Sequence, residues 1–398
     1  MSDTLRENIA RLRKARNLTQ EALAEAAGVG VDTVGRLERG TRSASRASTI
    51  KKLARALDVS TDALEGRLAT PRGTDADMAR LRQAITPVHG IDRPVDSDRV
   101  DTIEELAEDA HVVWRAYVDG RHADVLHRLP DLLTTARHLI QETSGDANAA
   151  AHHLLSTAYR PGAGISGRLG LDDLAWTAAD RAADAARESD TPDIDTAVAA
   201  RYLTWTLIRQ RRTAEAEHVA VTTAERIEPR MLDRDPHRAG VFGNLLFNAA
   251  TAARQSGNPT RADDLLTIAT AAAIRSGTDT TSETAIFGPR VAALQRVEHT
   301  LRTGDPEQAL HLAEHLPDST GTVPAFWESG HHIHLANAAT TLHQNKRALR
   351  HLARARDLAP AWARQQPLAT TTMRHLLDDA TRRQGRLFAD LATHYGVA

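Results

Sequence analysis

The stretch Leu18-Thr-Gln-Glu-Ala-Leu-Ala-Glu-Ala-Ala-Gly-Val-Gly-Val-Asp-Thr-Val-Gly-Arg-Leu-Glu-Arg-Gly40 reads as two short helices joined by a tight turn. Thr19 is a hydroxyl N-cap whose oxygen accepts one of the backbone N–H groups left free at a helix start. Leu23 and Ala24 point to one side of the first helix. Ala27-Gly28 supplies the bend, because glycine enters left-handed backbone without a Cβ penalty. Val34 and Leu37, three apart, form the inward face of the second helix, and Gly40 stops it.

Leu5 to Arg16 forms a preceding basic helix. Ser48-Thr-Ile-Lys-Lys-Leu-Ala-Arg-Ala-Leu57 forms a following amphipathic one, and Ser60-Thr-Asp-Ala-Leu64 a closing turn of helix. This is a helix-turn-helix layout, in which the second helix of the motif enters the DNA major groove. The run Leu-Thr-Gln-Glu-x-Leu-Ala, then Gly-Val, then Arg-Leu-Glu-Arg-Gly resembles the lambda-repressor-like (XRE) family over about Leu5 to Leu64. The resemblance implies a five-helix DNA-binding domain. It matches Gln20 to a position whose amide contacts DNA, and Arg13 and Glu38 to a structural salt bridge. Gly30, Val31, Asp32, Thr33 and Arg36 fall on the exposed face of the recognition helix. Arg36 suits a guanine edge, and Thr33 a phosphate or a thymine methyl. Arg42 and Arg46, past the helix, suit backbone phosphates. The sequence departs from the family at three places. Gly30 stands where a Ser or Thr cap is usual, Gly35 removes a side chain, and Asp32 brings a negative charge near DNA. Asp32 either accepts from a cytosine amine or only favours the helix N-terminus.

The remaining chain is long enough for one or two further domains in its 398 residues. Residues 1–70 carry 13 Lys+Arg against 9 Asp+Glu, and the remainder 37 against 43. A mildly basic head on an acidic body fits a DNA-binding module joined to a domain with another task. The absence of cysteine excludes disulfides and thiolate metal sites. No charged-then-apolar leader and no bilayer-length apolar run occurs, so a cytoplasmic protein away from membranes is expected. Abundant alanine and few aromatics favour an all-α fold, and the heavy use of Ala, Arg and Asp suggests an actinobacterial source.

Three regions follow: a head over 1–67, a linker over 68–97 with a short helix at Asp75 to Ile85, and a helical body over 98–398. The body repeats. Turn phrases beginning at Gly120, Gly167, Arg211, Gly257, Gly304 and Asn345 recur at steps of 47, 44, 46, 47 and 41 residues. Two helices per such period are an α-solenoid signature. The phrase Gly-Asp/Asn-Pro-x-x-Ala-x-x-Leu resembles the tetratricopeptide repeat, with helices longer than those of its usual unit. In such stacks the A helices line a concave surface suited to peptides. Asn244 and Asn248, four apart on one A helix, are candidates to bond a peptide backbone. Arg201, Arg290 and Asn337 occupy comparable places on other A helices, with Tyr202, Trp205, Phe287 and Trp327 nearby. The competing reading makes the aromatics inter-helix packing and the asparagines caps.

His311-Leu-Ala-Glu314-His315 matches a metallopeptidase pattern, but it lies inside a repeat phrase that packing already explains. His331-His332-Ile-His334 reads as a helix start. No Gly-x-x-x-x-Gly-Lys-Ser/Thr loop, Gly-x-Ser-x-Gly elbow or cysteine nucleophile occurs. No catalytic residue, metal site or cofactor is therefore expected, and the chain reads as a non-enzyme. The combination of head and repeats resembles the peptide-sensing quorum regulators of Gram-positive bacteria. That implies a homodimer on an operator of double-stranded DNA, with a peptide or small-molecule signal in the solenoid groove changing the spacing of the heads. The alternative is a regulator or adaptor whose repeats serve only dimerisation or partner docking, with no small ligand.

Overall fold

The computed structural model describes residues 3–16, 18–39, 47–57, 64, 72–87, 102–229, 235–379 and 385–397. Their regular secondary structure is helical except for one two-stranded hairpin. They form two compact units: Met1–Arg72 with Gly304–His311 and Glu328–Ala398, and Gly73–Thr303 with Leu312–Trp327.

In the first unit, α1 (Asp3–Ala15), α2 (Gln20–Ala27), α3 (Val31–Glu38) and α4 (Ala47–Ala56) surround a small apolar core. Ile9, Leu23, Val34, Leu37 and Leu53 are fully buried in it. Asn8 Nδ2 donates to the Leu64 carbonyl at 3.1 Å, which ties the end of this domain back to its first helix. Of the expected fifth helix, only Leu64 lies within the described residues.

The second unit starts with α5 (Arg72–Ile85), whose first residue belongs to the other unit. Leu81, Ala84 and Ile85 are buried in the apolar core of the second unit, and Arg137 donates to the Ala84 carbonyl at 2.9 Å. The helix expected within the linker thus packs with the repeats. It is followed by α6 (Ile103–Val118), α7 (His122–Glu142), α8 (Gly145–Arg168), α9 (Asp172–Arg187) and α10 (Pro192–Arg209). Then come α11 (Thr213–Arg226), α12 (Pro236–Gln255), α13 (Pro259–Ser276) and α14 (Pro289–Arg302). The chain continues through α15 (Pro306–Ala313), α16 (Ala325–Thr341), α17 (Asn345–Leu358), α18 (Pro360–Arg364), α19 (Pro367–Asp378) and α20 (Arg386–His394).

Six helix pairs share one turn. The chain enters left-handed backbone at Gly120, Gly170, Arg211, Gly257, Gly304 and His343, with φ between 56° and 84°. In five of them the next N–H reaches back to the carbonyl five residues earlier. These bonds are Arg121 to Ala116, Leu171 to Ser166, Arg212 to Leu207, Asn258 to Ala253 and Gln344 to Ala339. This satisfies carbonyls that a helix end leaves open.

The turn of the second pair is centred on Gly170, the second glycine of the phrase that begins at Gly167. Gly167 lies within α8, where a Cβ would come within 2.6 Å of the Trp205 ring. It is a packing glycine, and the turn falls three residues later.

Helicity is also interrupted where none was expected. Thr280–Thr281 (β1) pairs antiparallel with Ile286–Phe287 (β2), Thr281 facing Ile286. The β-branched run Thr-Asp-Thr-Thr favours extended backbone. Asp279 fixes its base by accepting from the backbone N–H groups of Arg290 and Thr320 at 3.0 and 3.2 Å. Phe287 is buried against α12, and a Cβ on Gly243 would lie 2.0 Å from its ring. Alanine at position 243 gains about 1 kcal/mol of helix propensity, yet it must displace that ring. Gly243→Ala is therefore expected to destabilise by about 1–3 kcal/mol net in urea unfolding followed by tryptophan fluorescence. Gly243→Ala combined with Phe287→Leu should regain part of the loss.

Candidate functional site

Two places gather the candidate side chains, one in each unit. The first is the motif of α2 and α3. Thr19 caps α2, its hydroxyl accepting from the Ala22 N–H at 3.1 Å. Gly28 ends the helix at φ 60° and ψ 46°, with Val29 N–H bonded back to Ala24. Leu23, Ala24, Val34 and Leu37 face inward, so the opposite side of α3 faces out. There Val31, Asp32 and Arg36 are exposed, Thr33 is half-buried, and Gly30 precedes the first turn without a side-chain cap. The Asp32 carboxylate lies 3.7 Å from the Arg36 guanidinium one turn away. So exposed a pair contributes little.

Behind this face, Arg13 and Glu38 form a two-pronged pair, with Nε–Oε1 2.7 Å and Nη2–Oε2 2.9 Å. Gln20, expected at the DNA, turns its amide onto the same carboxylate, Nε2 to Oε2 at 2.6 Å. Glu38 thereby orients Gln20 as well as Arg13. Gly35 is explained by its neighbours. A Cβ there would meet Arg39 Nη2 at 3.4 Å and Gln20 Oε1 at 3.6 Å. Arg39 is exposed at the end of α3 and adds a cation to this side. The sequence pattern missed it, because Arg39 falls after the helix positions that the motif assigns to DNA. Arg42, Arg46 and Gly40 lie outside the described residues.

The second place is a cavity of about 480 Å³ within the repeat unit. Arg201, Asn244 and Asn248 all line it. Arg290 does not. Its guanidinium bonds the Pro317 carbonyl, and its backbone N–H caps onto Asp279. Asn337 belongs to the other unit, where its carbonyl oxygen accepts from Thr372. The sequence placed five residues on one surface by their repeat position. Only three come together, because the hairpin shifts Arg290 away and the chain leaves this unit before Asn337.

The two asparagines are partly committed to the fold. Asn244 Nδ2 donates to Gly240 and Ile286 carbonyls at 2.9 and 3.1 Å, and Asn248 Nδ2 to the Arg201 carbonyl at 3.3 Å. One amide bond of Asn244 thus holds the hairpin and the other stays within its own helix, which leaves its carbonyl oxygen for other work.

The cavity wall is aromatic and cationic. Tyr117, Tyr202, Trp205, Phe326 and Trp327 line it together with Arg168, Arg201, Arg209 and Arg302. The Arg201 guanidinium lies over the Tyr202 ring at 4.7 Å and Arg209 over Trp205 at 5.2 Å. Arg168 lies 5.4 Å from the Tyr117 ring centre. Burial pushes the Tyr202 phenol up, so it stays neutral. Glycine makes room for these rings, since a Cβ at Gly164 would meet the Tyr117 hydroxyl at 2.2 Å.

Among the described residues, His153, Asp190 and Asp195 are the group close enough to gather a metal ion. Asp195 is already saturated. Oδ1 takes Arg160 at 2.8 Å, and Oδ2 takes Ser189 at 2.8 Å, Thr191 at 3.0 Å and His153 at 2.6 Å. This is a buried ion pair joining α8 to α10. The His311–His315 pattern is broken in the chain itself, because α15 ends at Ala313 and leaves Glu314 and His315 beyond it. No helix of the described residues is long and apolar enough to cross a membrane.

Residues 9–64 match the helix-turn-helix family model. No curated protein matches the chain. Among solved structures, the chain is similar to PlcR of Bacillus thuringiensis in complex with the peptide PapR7 and DNA. The identity is 11%, covering 92% of this chain and 99% of that one, with a TM-score of 0.36. It is also similar to the apo form of the competence regulator ComR from Streptococcus vestibularis. There the identity is 12%, covering 86% and 98%, with a TM-score of 0.31. Neither supports an actinobacterial source. The N-terminal part of this all-α chain is a helix-turn-helix domain.

Proposed function

We propose that the chain is a sequence-specific DNA-binding transcriptional regulator that acts as a homodimer and holds a signal molecule, a peptide or another small ligand, in its repeat-unit cavity. The observation that carries this is the division of α3. Val34 and Leu37 are buried, while Val31, Asp32 and Arg36 face outward on a scaffold locked by Arg13 and Glu38. In this reading α3 enters the major groove, with Arg36 on a guanine edge and Arg39 adding to the contact with the backbone. One head buries little surface on DNA, so two half-sites about one helical turn apart are expected. A ligand that prefers one curvature of the repeats shifts the population of head spacings and so the affinity for the operator.

The test is selection of random duplexes by the purified protein, followed by footprinting. A two-fold symmetric site is the expected result, and failure to enrich any sequence at low salt would sink the proposal. On the selected site, Arg36→Ala is expected to weaken binding by about 1–3 kcal/mol and to relax preference at one base pair. Unchanged affinity would remove α3 from the groove. A second reading, in which the repeats only dock a partner, is favoured by Ile268 and Ile274 on α13, which are 46% and 69% exposed. Ile274→Glu would then abolish assembly and leave melting unchanged.

A further inference from the structure

The cavity wall selects by charge. Four of its side chains are guanidiniums, and one, Glu298, is a carboxylate. Two of the cations are neutralised. Arg302 pairs with Glu298 at 2.7 Å, and Arg209 with Asp172 at 2.7 Å. Arg201 makes no ion pair among the described residues. It is half-buried, with its guanidinium carbon over the Tyr202 ring at 4.7 Å and no carboxylate on its N–H groups among the described residues. A second donor on the wall lacks a partner. The indole Nε1 of Trp327, another lining residue, is buried without an acceptor. A buried donor left unmade costs stability, and an acceptor brought by a ligand would remove that cost. Trp114, Tyr117, Trp205, Phe247 and Ile286 give the wall its apolar surface, beside the amides of Asn244, Asn248, Gln255 and Gln295. A volume of about 480 Å³ lies in the range that encloses a small ligand.

Resting on the reading of this cavity as the signal site, we infer that its ligand is a carboxylate attached to an aromatic or branched apolar body, the carboxylate bound by Arg201 and Trp327. Two sources share that chemistry: a free aromatic acid, and the C-terminal residue of a short peptide. Planar guanidinium on planar carboxylate is a two-pronged, charge-assisted match. The neutral amide of the same molecule lacks the charge and offers only one acceptor.

The probes are N-acetylphenylalanine and its primary amide, together with a tetrapeptide ending in phenylalanine as free acid and as amide. Binding to the full chain is read by calorimetry and by fluorescence of the cavity tryptophans. Each acid is expected to bind about tenfold or more tightly than its amide, the gain of a charge-assisted over a neutral hydrogen bond. Arg201→Gln should erase that difference, and Trp327→Phe, which removes only the N–H, should reduce it, both with unchanged melting and elution. A stronger response to the tetrapeptide acid identifies the peptide terminus as the source. A stronger response to the single residue identifies the free acid. Equal binding of acid and amide, binding indifferent to both variants, or no binding by any probe at millimolar concentration would overturn the inference. The signal reading is tested apart from it, by whether the bound acid changes affinity for the selected operator. Arg201-dependent binding with no such change keeps the carboxylate site and removes the signal role. The reverse holds if another molecule alters operator affinity while acid and amide bind alike.

Discussion

Asp195→Asn is expected to cost about 3–5 kcal/mol of folding stability, because it strands the Arg160 guanidinium in the interior. The two side chains are 3% and 4% exposed and meet at 2.8 Å. Ser156 and Thr157 also accept from Arg160, at 3.1 and 3.4 Å, but they bring no charge. The cost comes from the cation left behind and not from the lost attraction. Arg160→Met together with Asp195→Leu should therefore recover most of the stability. Urea unfolding of the three proteins checks this, and a single variant as stable as the parent would show that water reaches the pair.

The same cluster sets a pH window. Burial by itself would raise the Asp195 carboxyl. The hydrogen bond from His153 and the charge of Arg160 outweigh it and hold the group well below its ordinary range. Its stabilising contribution is present above the unfolded value of about 3.9 and is lost as the pH falls through the depressed folded value. His153 moves the other way, raised by its hydrogen bond to Asp195. Its contribution is complete below the unfolded value of about 6.5 and is lost as the pH rises through the raised folded value. The difference between parent and Asp195→Asn should thus be greatest between these limits and shrink on either side. A difference independent of pH would show that the imidazole plays no part.

Glu38→Ala is expected to remove about 3 kcal/mol from the helix-turn-helix domain and to abolish operator binding with it. The Glu38 and Arg13 side chains are 8% and 14% exposed, and the carboxylate also holds the amide of Gln20. One substitution therefore leaves a cation without its partner and frees the residue at the start of α2 from its orientation. Hydrogen exchange at the amides of α2 and α3 reports the first effect, and electrophoretic shift on the selected site the second. Glu38→Gln should keep part of the stability through its remaining acceptor. If Glu38→Ala exchanges and binds like the parent, the pair is neither scaffold nor positioning device.

The head was legible because its signals are local. A hydroxyl before a helix, a glycine after it and two apolar residues three apart act within one or two turns. Thr19, Gly28, Val34 and Leu37 take those places in the structure. Arg13 and Glu38 were legible only through the resemblance, since nothing in the spacing of residues 25 apart announces a salt bridge. The repeat period was readable for a similar reason. Each helix pair needs a residue that bends the chain, and glycine or proline marks most of them. Arg211 and His343 adopt the same left-handed backbone without that mark, because the carbonyls of the preceding turn still require the bond that this geometry supplies.

Tertiary structure decided what depends on a partner distant in sequence. Gly167 and Gly243 look like turn or helix-weakening residues until Trp205 and Phe287 are found against them. Asp195 is one of several acids around the start of α10 until α8 brings Arg160 to it. The sequence by itself determined the all-α fold, the helix-turn-helix and the paired-helix repeat, each written in steps of three, four or about forty-five residues. The hairpin, the buried ion pair and the separation of Arg290 and Asn337 from Asn244 were set by packing. Burial can move a charge or a ring between elements that no periodicity connects.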